Sequence, residues 1–138
     1  MTGRGEDGSG APPMPVLVEM IEPLIGYAEH RSLTLVRYGS EISELQVTDG
    51  SGLAFVVVTP HRLFPAYAPQ LDACTVADQL IGDASDMLLL VVVAVGSSLA
   101  ESTANLRAPI LVNVRTRRAA QLVLDDASLQ LRAPLRAA

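Results

Sequence analysis

Met87-Leu88-Leu89-Leu90-Val91-Val92-Val93-Ala94-Val95 is the stretch on which the fold class turns. An unbroken apolar run suits either a buried helix or a strand covered on both faces. Three consecutive valines, each stiff at χ1, favour the strand. So do the flanks, Asp86 on one side and Gly96-Ser97-Ser98 on the other, which supply turn residues at both ends. The run is also far short of the ~20 residues a helix needs to cross a bilayer.

Working outward from it, Leu53-Ala54-Phe55-Val56-Val57-Val58-Thr59 reads the same way, as a central strand covered on both faces and stopped by Pro60. Glu44-Leu45-Gln46-Val47-Thr48 alternates and should keep one face wet. Asp49-Gly50-Ser51-Gly52 is a turn. Residues 15–21 and 32–38 are further strands, with Ile25-Gly26-Tyr27 as a turn between them. Residues 61–69 hold Pro65 and Pro69 and are irregular, since the residue before a proline is driven toward extended geometry. Thr75 to Gly82 carries the marks of a short helix, with Thr75 as N-cap, Val76 and Leu80 on one face, and Gly82 at the C-terminal end.

Downstream, Thr103-Ala104-Asn105-Leu106-Arg107-Ala108-Pro109-Ile110-Leu111-Val112-Asn113 begins as a polar turn and ends as an apolar strand, Pro109 suiting its first position. Residues 110–114 and 119–124 form a hairpin around Arg115-Thr116-Arg117-Arg118; Asp125-Asp126 turns the chain before a last strand at 129–132. The expectation is an all-β, mainly antiparallel domain: a small folded sheet or barrel of about eight strands with one short helix. No alternation of strand and helix supports a parallel sheet. Residues 1–13, rich in glycine, read as a flexible tail, and residues 14–136 as one domain.

Composition narrows function by exclusion. The formal net charge is -5 and every cation is an arginine, which disfavours general nucleic-acid binding but not a basic protein partner. The single Cys74 forms no internal disulfide, and the N-terminus lacks the apolar core of a signal peptide, so a cytoplasmic location is expected. His30 and His61 have no ligand-spaced neighbours, and no nucleophile motif or phosphate loop is present, so no metal, cofactor or catalytic group is expected. Cys74 lacks a recognisable base and reads as a partly buried thiol. Arg115, Arg117 and Arg118 allow a phosphate contact, though a solvated hairpin tip is the favoured reading.

A protein-binding surface is the remaining candidate. From Ala66 to Glu101 the chain carries Asp72, Asp78, Asp83, Asp86 and Glu101 with no arginine, beside Phe64 and Tyr67. Aromatic residues next to an acidic element suit partner recognition. Phe64, Tyr67, Asp72 and Asp78 are therefore the candidate contacts; a solvated helix with its aromatics in the core is the competing account. Asn105 suits a turn and Pro109 the start of a strand.

Thr103-Ala104-Asn105-Leu106, Ala108-Pro109-Ile110 and Val112-Asn113 together resemble the signature of the flagellar assembly factor FliW family. Arg117-Arg118, Gln121 to Asp126 and Leu131 to Leu135 continue the match, as do Leu53-Ala54-Phe55, Phe64-Pro65 and Tyr67 upstream. Ile21-Glu22-Pro23 and Gly26-Tyr27 stand where that family usually has an aromatic-Pro pair and a Gly-Phe; Ala119-Ala120 and Leu129 also depart from it. The resemblance implies a non-enzymatic regulator that binds flagellin and, alternatively, the translational repressor CsrA. An interaction or small-ligand-binding β-barrel with another partner is the alternative.

Overall fold

Alternation fixes the first layer of the structure. In Ser32–Arg37 (β2) and Ile42–Val47 (β3), every second residue is buried. The antiparallel register sets Leu33 opposite Val47 and Leu35 opposite Leu45, so both strands turn one apolar face inward. The structure, a computed structural model, describes residues 15–22, 24–27, 29–48, 50–69 and 86–135.

Val16–Glu22 (β1) pairs with β2, and Ala54–Val58 (β4) with β3. Met87–Ala94 (β5), the run that decided the fold class, is a strand. It pairs with β4 through Val57 and Val58, with Ile110–Asn113 (β7) over its first half, and with Thr103–Ala104 (β6) at its end. Arg118–Gln121 (β8) pairs with β7, and Ala133–Pro134 (β9) with β6. The circuit β4-β3-β2-β1-β8-β7-β5 closes on β4, giving a seven-stranded barrel with β6 and β9 as a flap outside it. One ladder, β1 with β8, is parallel, and its register shifts between Met20 and Glu22. There the Arg31 guanidinium donates to the Met20 and Ile21 carbonyls at 3.4 and 3.3 Å.

Each barrel strand sends a side chain into one core, among them Met20, Leu33, Leu45, Val57, Leu90, Ile110 and Ala119. Two smaller cores lie on the outside. Val58, Val91, Leu106 and Ala133 form one under the flap; Leu111, Ala120, Leu122 and Leu124 form the other. β4 and β5 thus have cover on both faces along most of their length, the barrel core on one side and an outer core on the other; only their ends, Ala54 and Ala94, are exposed.

Two expectations change. Thr103–Ala104 is a short strand rather than a turn, because the end of β5 and β9 offer it partners on both sides. Residues 129–132 are not a strand. Their carbonyls go elsewhere: the Leu106 N–H donates to the Gln130 oxygen at 2.9 Å and the Arg107 side chain to that of Leu129. The final ladder forms at Ala133–Pro134 instead. The Asp125-Asp126 turn is present. Asp126 Oδ1 accepts from the Ser128 hydroxyl and N–H, which, the hydroxyl first, hold this exposed carboxyl below its ordinary range. The helix expected at 75–82 and Cys74 lie outside the described residues.

Asn113 is a buried polar residue at the end of β7, and its Oδ1 accepts from the Arg115 and Thr116 N–H groups at 3.0 Å each. This caps the β7–β8 loop, where Arg117 sits at φ 64, an uncommon region for a residue with a Cβ. Asn113→Ala leaves two N–H groups without that acceptor and is expected to cost about 2 kcal/mol in chemical denaturation. Asn105→Ala removes one such bond, to the Arg107 N–H at 3.0 Å, and should cost about half as much.

Candidate protein-docking surface

The strand ends opposite the β7–β8 hairpin form an apolar mouth. After β1 the chain turns through Leu24, Ile25, Gly26 and Tyr27, with the Tyr27 N–H donating to the Leu24 carbonyl at 2.8 Å. Gly26 takes φ +85 there, which glycine adopts without penalty. Gln121 at the end of β8 anchors this turn. Its Oε1 accepts from the Ile25 N–H at 2.9 Å, and its Nε2 donates to the Ala108 carbonyl at 3.1 Å. Tyr27 packs edge-on against Phe55 of β4, with centroids 4.9 Å apart.

Between this turn, the end of β5 and the segment before β9 lies a groove of about 290 Å³, reached by Tyr27, Phe55, Val92, Thr103, Asn105 and Arg132. Large apolar side chains crowd its rim: Ile25 is 61% and Leu131 53% exposed. The chain leaves the groove at Ala94 and returns at Thr103. The intervening loop presents Val95 and Leu99, 68% and 51% exposed. Ile25 and Leu131 line the groove itself, and Val95 directly follows its lining residue Ala94.

That loop is pinned from within. The buried Ser102 hydroxyl accepts from the Gly96 N–H and donates to the Ser98 carbonyl, both at 2.9 Å. The turn is so tight that a Cβ at Gly96 would stand 2.5 Å from the Glu101 oxygen. The backbone that carries Val95 and Leu99 is thus held by the loop's own hydrogen bonds.

The residues picked from sequence are scattered. Asn105 lines the groove. Phe64 and Tyr67 lie elsewhere, partly buried in the core under the flap; Phe64 N–H donates to the Pro60 oxygen at 2.7 Å. The Tyr67 hydroxyl donates to the Leu106 carbonyl at 2.6 Å, and burial pushes its pKa up to about 12. Pro109 is buried at the start of β7, where its oxygen accepts from the Leu122 N–H, and Asn113 sits at the far end of the barrel. Asp72 and Asp78 lie outside the described residues. Ile25, Leu131 and Arg132 escaped the sequence reading: a hydrophobic pattern points inward, and nothing in it says which apolar residues gather at a loop-built rim.

Tyr67 gives a pH prediction. An unfolded chain ionises this tyrosine near its ordinary value of 10, whereas the folded chain holds the proton to about 12. Between those values the unfolded state binds fewer protons, so stability should fall as pH rises through that window and level off above it. Tyr67→Phe should flatten that decline and cost about 1 kcal/mol at neutral pH, both read from urea melts at several pH values.

Among the described residues no group of three or more His, Cys, Asp or Glu could hold a metal ion, and no helix is long and apolar enough to cross a membrane. The surface offers adhesion and shape. The family described as FliW protein matches residues 13–135. The flagellar assembly factor FliW of Syntrophus aciditrophicus is 33% identical over 118 residues, covering 84% of this chain and 75% of that protein. That of Clostridioides difficile is 29% identical over 114 residues, 81% of this chain and 88% of the relative. A crystal structure of a flagellar assembly factor FliW aligns with a TM-score of 0.81 and 28% identity, covering 88% of this chain and 86% of the other. With its family match running from before β1 to the end of β9, this chain belongs to the FliW family, whose relatives carry the name flagellar assembly factor.

Proposed function

We propose that this chain is a non-enzymatic flagellar assembly factor of the cytoplasm that works by switching protein partners. It binds flagellin and, alternatively, a CsrA-type RNA-binding regulator, whose repression of flagellin translation it relieves. The observation that carries this reading is the family match across residues 13–135. The preformed apolar mouth supports it, because a rigid rim of exposed aliphatic side chains suits adhesion to another polypeptide. The net charge of -5 fits a basic regulator and opposes RNA in the same place.

Isothermal titration with the cell's own flagellin and CsrA tests it. Saturable binding to each, with one partner displacing the other, is the expected result. Absence of heat with both at low salt would refute the proposal. The groove itself favours a second reading, a barrel that takes a small apolar ligand, since its volume approaches the lower range of ligand pockets, ~300 Å³. Co-purification of such a ligand, with neither protein bound, would select it.

A further inference from the structure

The polar groups of the mouth are unbalanced. Both amide atoms of Gln121 are engaged, by Ile25 and Ala108. Asn105 uses its oxygen to accept from Arg107, which leaves its NH₂ as a donor. The Thr103 and Tyr27 hydroxyls and the Arg132 guanidinium make no hydrogen bond or ion pair with other described residues, and all three line the groove. Among the described residues lining it, Arg132 is the one that is charged, and none is a carboxylate. Arg31 sits on the carbonyls of β1, Arg107 on those of Leu129 and Ala127, and Arg62 on Glu41 at 3.1 Å; Arg37, Arg115, Arg117 and Arg118 make no side-chain hydrogen bond or ion pair with other described residues either, so Arg132 is set apart by its place in the groove. Among the described residues the mouth is thus an apolar concavity with donors left over and no acidic acceptor in its lining.

The geometry points to a ligand of matching chemistry: a segment of a partner polypeptide in which an apolar side chain stands beside an acidic one. The apolar group enters between Phe55, Val92 and Leu131, and the carboxylate meets Arg132 with Asn105 and Thr103 in reach. An arginine fork holds a carboxylate with two parallel bonds, and guanidinium is desolvated more readily than ammonium. The overall negative charge does not forbid this, since exposed charges farther than a Debye length, ~8 Å, are largely screened. A segment passing through the groove is favoured over a free fatty acid. Tyr27 lines both the groove and a second hollow with Gly26, Glu29 and His30, and a lone acyl chain in the groove would leave that hollow empty.

This deepens the partner-switching reading by naming what one of its partners presents, and it can be tested apart from it. Acetyl-Leu-Glu-Leu-amide and its Leu-Gln-Leu analogue serve as probes of the full chain, added to millimolar concentration and followed by amide chemical shifts. The acidic peptide should shift Ile25, Thr103 and Arg132 saturably, and the neutral one should shift them at least roughly fivefold less at equal concentration. Arg132→Gln should remove that difference with an unchanged melting temperature. Equal response to both peptides, or response to neither, overturns the inference. If the acidic peptide binds at the mouth while flagellin and CsrA do not bind at all, the mouth's chemistry stands and the partner assignment falls. If flagellin and CsrA both bind and Arg132→Gln weakens neither by roughly fivefold or more, the partners dock elsewhere and the inference fails.

Discussion

Leu90→Ala is expected to lower folding stability by about 3 kcal/mol, and the melting temperature by roughly 10 °C. Leu90 is 1% exposed and packs in the barrel core, so truncation removes apolar burial and leaves a cavity among rigid neighbours. Its strand adds to the effect. β5 carries the closure of the barrel on β4, the whole ladder to β7, and the attachment of the flap. Leu90 pairs with Ile110, itself fully buried, immediately before the two residues that meet β4. Relaxation that filled the cavity would pull the closing seam apart, so the site cannot collapse cheaply. Leu88→Ala on the same strand, only partly buried, should cost less than half as much. Urea unfolding of both variants checks this; equal losses would mean that the core does not tighten toward the seam.

Hydrophobic pattern carried most of the barrel. β2 and β3 announce themselves by alternation, and the valines of β5 decide between strand and helix, because in both cases the signal is local: which face each side chain takes, or how it fills its own χ1 well. What stayed hidden depends on partners distant in sequence. Thr103–Ala104 looks like a turn until β5 and β9 are placed on either side of it. Residues 129–132 have strand composition, yet Arg107 and Leu106 claim their carbonyls first. The mouth was least legible of all. Leu24 to Tyr27, the end of β5, Asn105 and Arg132 meet only because the barrel closes, and no spacing rule connects them. Phe64 and Tyr67 illustrate the converse: aromatic residues beside an acidic stretch looked like a surface, whereas here the flap core takes them up and the Tyr67 hydroxyl holds the Leu106 carbonyl.

Arg107→Ala is expected to rank second, at about 2–3 kcal/mol, although no sequence feature singles the residue out. Its Nε and Nη2 donate to the Leu129 carbonyl at 3.1 and 2.9 Å, and Nη2 also reaches the Ala127 carbonyl at 3.1 Å. Two backbone oxygens in a segment without a ladder are thereby satisfied by one side chain. Its own carbonyl accepts from the Leu124 N–H at 2.9 Å, so it grips the segment from both ends. That segment, residues 122–129, lays Leu122, Leu124 and Leu129 over the outer face of β7 and β8. Without the guanidinium the Leu129 and Ala127 oxygens must find water, and the strap should loosen before the barrel does. Lysine offers a point charge in place of the planar fork and should recover less than half of the loss. Amide hydrogen exchange separates this from a general loss of stability: Leu124 and Leu129 should lose protection in Arg107→Ala while amides of β2 and β3 keep theirs. Uniform acceleration across the barrel would show instead that the strap and the barrel open as one unit.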